Sequence, residues 1–524
     1  MPLSMSKTPA KRRLAFGLGF IATFGALVLL HYPLLRLPYL WDEAGYYIPA
    51  ALDFLRHGLL IPHSTLRTGH TPLVSICLAI AWRFAGYSPL VTRITMVAFA
   101  AGTLVALYTL GRTLAGRETA LWACVLLGLS PLFFAQSTLA LLDLPAAFTT
   151  TVAVWALVRR RMGWFALSAS LAVLTKETAV VIVPVAILAV WRFRRTPGKA
   201  TWLWLAAPVA TLSAWALYYH HVTGYWTGGA AYLQYNLYST LEPGRISVSL
   251  LRRLYQVFIA GFNWLLLAVA LLGYRRLKAA RNRDAEERPA GTAEPCAELR
   301  REFLLVAVGL GAVYIVMLSL VGGAVLTRYL LPMFPCFYLA LVLLVETLPR
   351  PVMRAAFVLV AAGFVGSWFI NPPFPFAYEN NLSYADFIRL HQQASEWLSA
   401  QPDHPRILTA WPATDELSRP ELGYVQQPMR VVTVPRFAPP DFRNIPGDSF
   451  DLLYLYSRKW DPPDNWLLRY PWLARLDRYT RPIHPRFVAF RYDLHLVAEF
   501  HRRGQWVRIY AKTRQASTGA PTGF

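Results

Sequence analysis

The 524-residue sequence is poor in cysteine: Cys77, Cys124, Cys296 and Cys336 are all it has, with no CxxC pair. That excludes a disulfide framework and a zinc ribbon. It is also poor in charge, since charged residues make up 15% where soluble domains carry roughly 25%. Acidic residues are the scarcest, 29 against 52 basic. Missing as well are a GxxxxGK[ST] phosphate loop, GxGxxG after a strand, HExxH and GxSxG. Nucleotide hydrolysis, dinucleotide binding, zinc proteolysis and serine hydrolysis therefore have no support. No internal repeat is evident.

What the chain has in abundance is apolar residues, 55% of the total, with a mean hydropathy of +0.35. They fall in long runs, as in a polytopic membrane protein. The net charge of +23 does not indicate nucleic acid, because the excess sits in short clusters between apolar runs. Residues 1–370 hold 33 Lys/Arg and 14 Asp/Glu, the distribution produced when cytoplasmic loops retain positive charge. Lys11, Arg12 and Arg13 precede an apolar run that lacks a small-residue cleavage site, so a retained first span is expected.

Requiring about 20 mostly apolar residues per span and alternating basic clusters predicts eleven transmembrane helices: 14–30, 93–110, 120–137, 145–158, 164–174, 180–191, 202–219, 255–274, 303–321, 330–345 and 355–370. Residues 7–13, the Arg159-Arg160-Arg161 triplet and the 192–195 cluster are then cytoplasmic, and 31–92 form a long first outer loop. Residues 72–86 are apolar but short and carry Arg83, so they are read as re-entrant or interfacial. The polar stretch 275–302 reads as a flexible cytoplasmic linker. From 371 onward the balance is 19 Lys/Arg to 15 Asp/Glu. A helix near 384–399, strands near 406–410 and 451–456 and a terminal hairpin around Gly504 predict a soluble extracytoplasmic α+β domain. The expected organisation is thus a membrane domain, 1–370, followed by a small α+β domain, 371–524.

This topology leaves six acidic residues on the outer side of the membrane part, among them Asp42, Glu43, Asp143 and Glu177. Ionisable groups at the ends of apolar segments are expensive and mark functional candidates. Asp42 lies in WDEAGYY (41–47) and Asp143 in LDLP (142–145). Each precedes a helix and would serve as an N-cap; each would equally serve as a carboxylate that accepts a proton from an acceptor hydroxyl. In TKE (175–177), Lys176 and Glu177 form either a salt-bridged pair at a helix break or a phosphate-binding site. Arg328, in RYLLP (328–332), is an interfacial anchor or a phosphate clamp. His31, His57, His63, His70, His220 and His221 all map outside, without metal-ligand spacing, and no metal site is assigned.

In this order, WDEAGYY, HTPL (70–73), LDLP, TKE and RYLLP resemble the GT-C integral-membrane glycosyltransferases, specifically the group of protein O-mannosyltransferases and lipid A aminoarabinose transferases. The resemblance covers about residues 1–340. It implies a mainly α GT-C fold and inverting transfer of a sugar from a polyprenyl-phosphate donor to a lipid, glycan or protein acceptor on the extracytoplasmic face. Carried over by motif, Asp42 is the catalytic base, Glu43 positions its loop and Asp143 orients substrate. Lys176 and Arg328 neutralise the donor phosphate, so that no metal or other cofactor is required, and Tyr46, His70, Glu177 and Tyr329 join the substrate site. The expected setting is a bacterial plasma membrane, multi-pass, with a cytoplasmic N-terminus. The chain departs from aminoarabinose transferases, which carry Lys-Pro-Pro where this chain has Thr71-Pro72. Its C-terminal region also lacks the three-lobed character of eukaryotic protein mannosyltransferases. The competing classes are a transporter or flippase of lipid-linked substrates, and an inactive scaffold of the same fold.

Overall fold

The computed structural model describes residues 9–193, 197–287, 295–462, 469–476 and 483–512. Lys7, Arg194, Arg195 and residues 288–294 of the expected linker lie outside the described residues. The chain divides into two compact units: residues 1–36, 46–370 and 379–382 form the first, and 37–45, 371–378 and 383–524 the second.

The first unit is helical. In chain order it contains α1 (Pro9–Leu30), α2 (Ile48–His57), α3 (Leu73–Ala85), α4 (Pro89–Leu114), α5 (Arg117–Leu129), α6 (Pro131–Gln136), α7 (Asp143–Val158), α8 (Met162–Thr175) and α9 (Ile182–Phe193). It continues with α10 (Lys199–Thr223), α11 (Ala230–Asn236), α12 (Pro243–Phe258), α13 (Asn263–Glu287), α14 (Pro295–Leu320), α15 (Phe334–Val345) and α16 (Arg350–Ser367). Local chemistry sets many of the boundaries. Ser88 Oγ accepts the Val91 N–H ahead of Pro89 and starts α4, while Gly58 and Gly224, both at positive φ, end α2 and α10.

α7 is buried along almost its whole length and packs on α4 and α8, whereas α10 turns Leu203 and Leu217 outward, as a lipid-facing helix does. Gly273 lets α13 approach α15 closely, since a Cβ there would lie 2.2 Å from the Leu344 carbonyl oxygen.

Several expected spans are composite. Ser130, extended at ψ 138 before Pro131, splits the 120–137 segment, because the residue before a proline is driven out of the helical region. Gly261, at φ 60, interrupts 255–274. Lys176, at φ −154 and ψ 123, separates α8 from a 3₁₀ turn, Glu177–Val181, and a second 3₁₀ turn, Thr327–Met333, leads into α15. Consequently, among the described residues, five helices are individually long and apolar enough to cross a membrane, or six if the bent pair in 243–279 is one span. Residues 72–86 form the short helix α3. The expected flexible linker is helical up to Glu287 and again from Pro295.

The second unit is built on a five-stranded mixed sheet in the order β2-β1-β3-β5-β4. β1 (Ile407–Ala410) runs parallel to β2 (Val431–Val434) and β3 (Leu452–Tyr456); β5 (Gln505–Lys512) is antiparallel to β3 and β4 (Leu494–Arg502). Every residue of β3 is buried, as a strand covered on both faces must be. The hairpin turns through Arg503 and Gly504, both at positive φ, as a two-residue connection requires. α17 (Ser383–Ser399) packs on β4 and β5. Strand β2, only four residues long, was not expected from the sequence.

Candidate active site

The backbone breaks of the membrane unit bring its charged residues together. Asp143 is the first residue of α7 and 2% exposed, and no side chain caps that helix. The carboxylate is instead engaged by two cations. Lys176 Nζ, at the break after α8, donates to Oδ1 at 2.5 Å, and Arg328 Nε lies 3.7 Å from Oδ2. Arg328 is itself 1% exposed and stands 3.0 Å from Glu379 Oε1. The Tyr329 ring forms a wall of this cluster, 4.2 Å from Lys176 Nζ, 5.3 Å from Arg328 Cζ and 5.9 Å from Arg253 Cζ.

Arg253, on α12, differs from the other two cations. It is fully buried, and its Nη1 donates to the Leu326 carbonyl at 2.6 Å and to Gln256 Oε1 at 3.0 Å. Its Nε and Nη2 have no hydrogen-bond partner. Among the described residues no carboxylate pairs with it. A buried guanidinium in that condition is costly unless an anion completes it.

Glu177 does not pair with its neighbour Lys176. It holds His70, whose Nδ1 is 3.1 and 3.2 Å from the two carboxylate oxygens, with the Tyr47 and Tyr232 ring centroids 6.1 and 6.0 Å from that of the imidazole. Tyr46 is half-buried in the π-helical turn Glu43–Tyr47.

Asp42 and Glu43 belong to the second unit. Glu43 is completely buried, and its Oε2 accepts the Leu40 N–H at 2.8 Å while its own N–H donates to the Leu40 carbonyl. The carboxylate thus closes the turn that presents Asp42. The structure therefore brings Asp143, Lys176, Arg328 and Tyr329 into one cluster, pairs His70 with Glu177, and holds Asp42 and Glu43 on a tight turn of the other unit.

The family model for dolichyl-phosphate-mannose-protein mannosyltransferases matches residues 44–238. The crystal structure of ArnT from Cupriavidus metallidurans bound to undecaprenyl phosphate superposes with a TM-score of 0.55 at 12% identity, covering 96% of this chain and 98% of that one. The apo form of the same protein gives a TM-score of 0.52 at 12% identity, covering 94% of this chain and 98% of the other. The chain has the GT-C glycosyltransferase fold. No curated protein matches it by sequence.

Two charged residues of this buried cluster escaped the sequence reading. Arg253 sits in an Arg252-Arg253 pair that reads as the solvated flank of a span; its place inside follows only from the break at Gly261, which makes α12 a separate amphipathic helix. Glu379 lies in a stretch of soluble composition, yet it returns to the membrane unit, where the Gln136 side chain binds its carbonyl at 3.2 Å. The unused signal was the scarcity of acidic residues near a buried arginine.

Proposed function

We propose that this GT-C protein is an inverting glycosyltransferase that moves a sugar from a polyprenyl-phosphate donor to an acceptor hydroxyl on the extracytoplasmic face of the membrane. The observation that carries the reading is the uneven charge of the buried cluster. Lys176, Arg328 and Arg253 face two carboxylates, Asp143 and Glu379, and Arg253 has hydrogen-bond donors to spare. A phosphodiester is the anion such a site accommodates. The undecaprenyl phosphate bound by the related ArnT fold supports the same chemistry.

In this mechanism the Asp42 carboxylate accepts the acceptor's proton as the acceptor atom bonds to the anomeric carbon. The bond from that carbon to the phosphate oxygen breaks on the opposite face, and its electron pair leaves with the lipid phosphate. Charge grows on the phosphate during displacement, so fixed cations stabilise the transition state more than the ground state. Asp143, hydrogen-bonded to Lys176 and beside Arg328, holds those cations in place, which suits it to orientation rather than proton removal. The basic clusters support a cytoplasmic N-terminus and an extracytoplasmic second unit.

Purified protein in lipid nanodiscs is incubated with undecaprenyl phosphate carrying radiolabelled mannose, glucose, galactose or 4-amino-arabinose, together with a total envelope extract as acceptor source. Loss of label from the lipid, with inversion at the anomeric carbon of the product, is the expected result. Label that stays on the lipid for all four sugars while the lipid crosses the bilayer would assign the protein to transport.

A further inference from the structure

The segment that carries Asp42 is more than 320 residues from the sheet unit in sequence, yet residues 37–45 belong to that unit. Two hydrogen bonds to the Tyr39 main chain join them. The Tyr39 N–H donates to the Leu422 carbonyl at 3.4 Å, and the Tyr424 hydroxyl donates to the Tyr39 carbonyl at 3.0 Å. The residue next to Asp42 is gripped more firmly. The Trp41 indole lies edge-on to Trp411, with centroids 5.5 Å apart, against Phe387 at 5.6 Å and beneath the Arg458 guanidinium at 5.5 Å.

Trp411 is itself fixed from several directions. Its Nε1 donates to Asp415 Oδ2 at 3.1 Å, and its carbonyl accepts the Tyr456 hydroxyl at 2.8 Å and Arg458 Nη2 at 3.1 Å. On the far side of Asp42, Gly45 rests on the same indole so closely that a Cβ there would lie 2.6 Å from the ring. Trp41 meanwhile holds φ +43, a left-handed conformation that costs a bulky residue of order 1–3 kcal/mol and persists only where surroundings impose it.

From these contacts we infer that Trp411 is a positioning residue for the Asp42 carboxylate, and that the sheet unit serves the reaction by holding the 41–45 turn in a strained, fixed geometry through its tryptophan and Arg458. This rests on the reading of Asp42 as the base. A misplacement of about 1 Å in a reacting group costs roughly 100-fold in rate, which is the scale of effect a loosened turn produces.

The test uses full-length protein in nanodiscs and two variants: Trp411→Leu, which removes the ring, and Gly45→Ala, which pushes the turn off it from outside the sheet core. Hydrogen exchange read by mass spectrometry should show the amides of residues 39–45 exchanging at least about tenfold faster in both variants, with the rest of the sheet unit unchanged. With whichever of the four labelled lipids the wild type consumes, kcat should fall roughly 10- to 100-fold while donor KM stays within about threefold. Trp411→Phe, which keeps an aromatic face, should recover most of the loss. Adding Trp411→Leu to Asp42→Asn should cost nothing further.

Unchanged exchange in both variants overturns the clamp. Faster exchange with unchanged kcat, or a loss that multiplies in the Asp42→Asn background, overturns the positioning role. Full turnover by Asp42→Asn alone refutes the base assignment instead, and the exchange result stands apart from it.

Discussion

The two units bury charge in different surroundings. In the helical unit, Asp143, Lys176, Arg328 and Arg253 are each less than a tenth exposed, and the three cations pack around one tyrosine. In the sheet unit, ion pairs such as Arg406–Asp451 lie at the surface, nearly half exposed, the buried His391–Glu416 pair stands apart, and the side chain of Trp41 in the Asp42 turn packs on aromatic rings. Taking charges out of water costs several kcal/mol per ion, so a fold keeps them buried only where something repays that cost. Exposed pairs are cheap to keep and contribute little. On the proposed function, the contrast separates a unit that binds an anion from a unit that holds a backbone turn still, and substitutions in each should fail differently.

The sharpest way to break that division is at the two aspartates. Asn caps a helix about as well as Asp, so Asp42→Asn should leave the melting temperature nearly unchanged while turnover falls roughly 100- to 10,000-fold, the range for losing a general base. Asp143→Asn should show the reverse emphasis. It strips Lys176 of its carboxylate and removes a carboxylate that stands beside Arg328, and breaking a buried pair costs about 3–5 kcal/mol. Thermal unfolding and single-turnover assays on the two variants decide the matter: a stable Asp143→Asn protein with the larger loss of turnover would move the base to Asp143.

A second test sharpens the comparison within the helical unit. Arg253→Gln, Lys176→Gln and Arg328→Gln should all raise the donor KM by about 10- to 100-fold, following the 1.5–3 kcal/mol of a hydrogen bond to a charged group. Only Arg253→Gln should do so without loss of stability, because Arg253 has no carboxylate partner to abandon among the described residues. It should even raise the melting temperature in the absence of lipid and lower the stabilisation gained on adding undecaprenyl phosphate. An unchanged donor KM in Arg253→Gln would remove it from the phosphate site.

The same contrast explains how much of this was readable in the sequence. Helix positions in the membrane unit follow from runs of apolar residues, a signal that survives without tertiary knowledge, and the terminal hairpin follows from alternation around Gly504. The breaks at Ser130, Lys176 and Gly261 are single-residue backbone events inside apolar runs, and hydropathy averages across them. Asp143, Lys176, Glu177 and Arg328 stood out because charge is rare there. Their partners did not follow from adjacency: Lys176 and Glu177 are neighbours in sequence, yet one turns to Asp143 and the other to His70. The grip of Trp411 on Trp41 joins residues 370 apart and has no local signature.

The smallest expected effect lies at the surface of the sheet unit and tests the contrast from its weak side. The Asp451 carboxyl is held below the usual aspartate range, first by the Arg406 guanidinium that bonds it at 2.9 Å and then by the Arg406 backbone N–H. A carboxyl with a depressed folded-state pKa stabilises the fold above its unfolded value of about 3.9, and that contribution disappears as pH falls through the lower folded value. Asp451→Asn should therefore lower the melting temperature by less than about 2 °C at pH 7. The gap should shrink in 1 M salt, where charges are screened within about 3 Å, and close as pH falls through the depressed folded-state value. A loss approaching that of Asp143→Asn, or one insensitive to salt and acid, would mean that this exposed pair behaves as a buried one and that the two units do not differ as described.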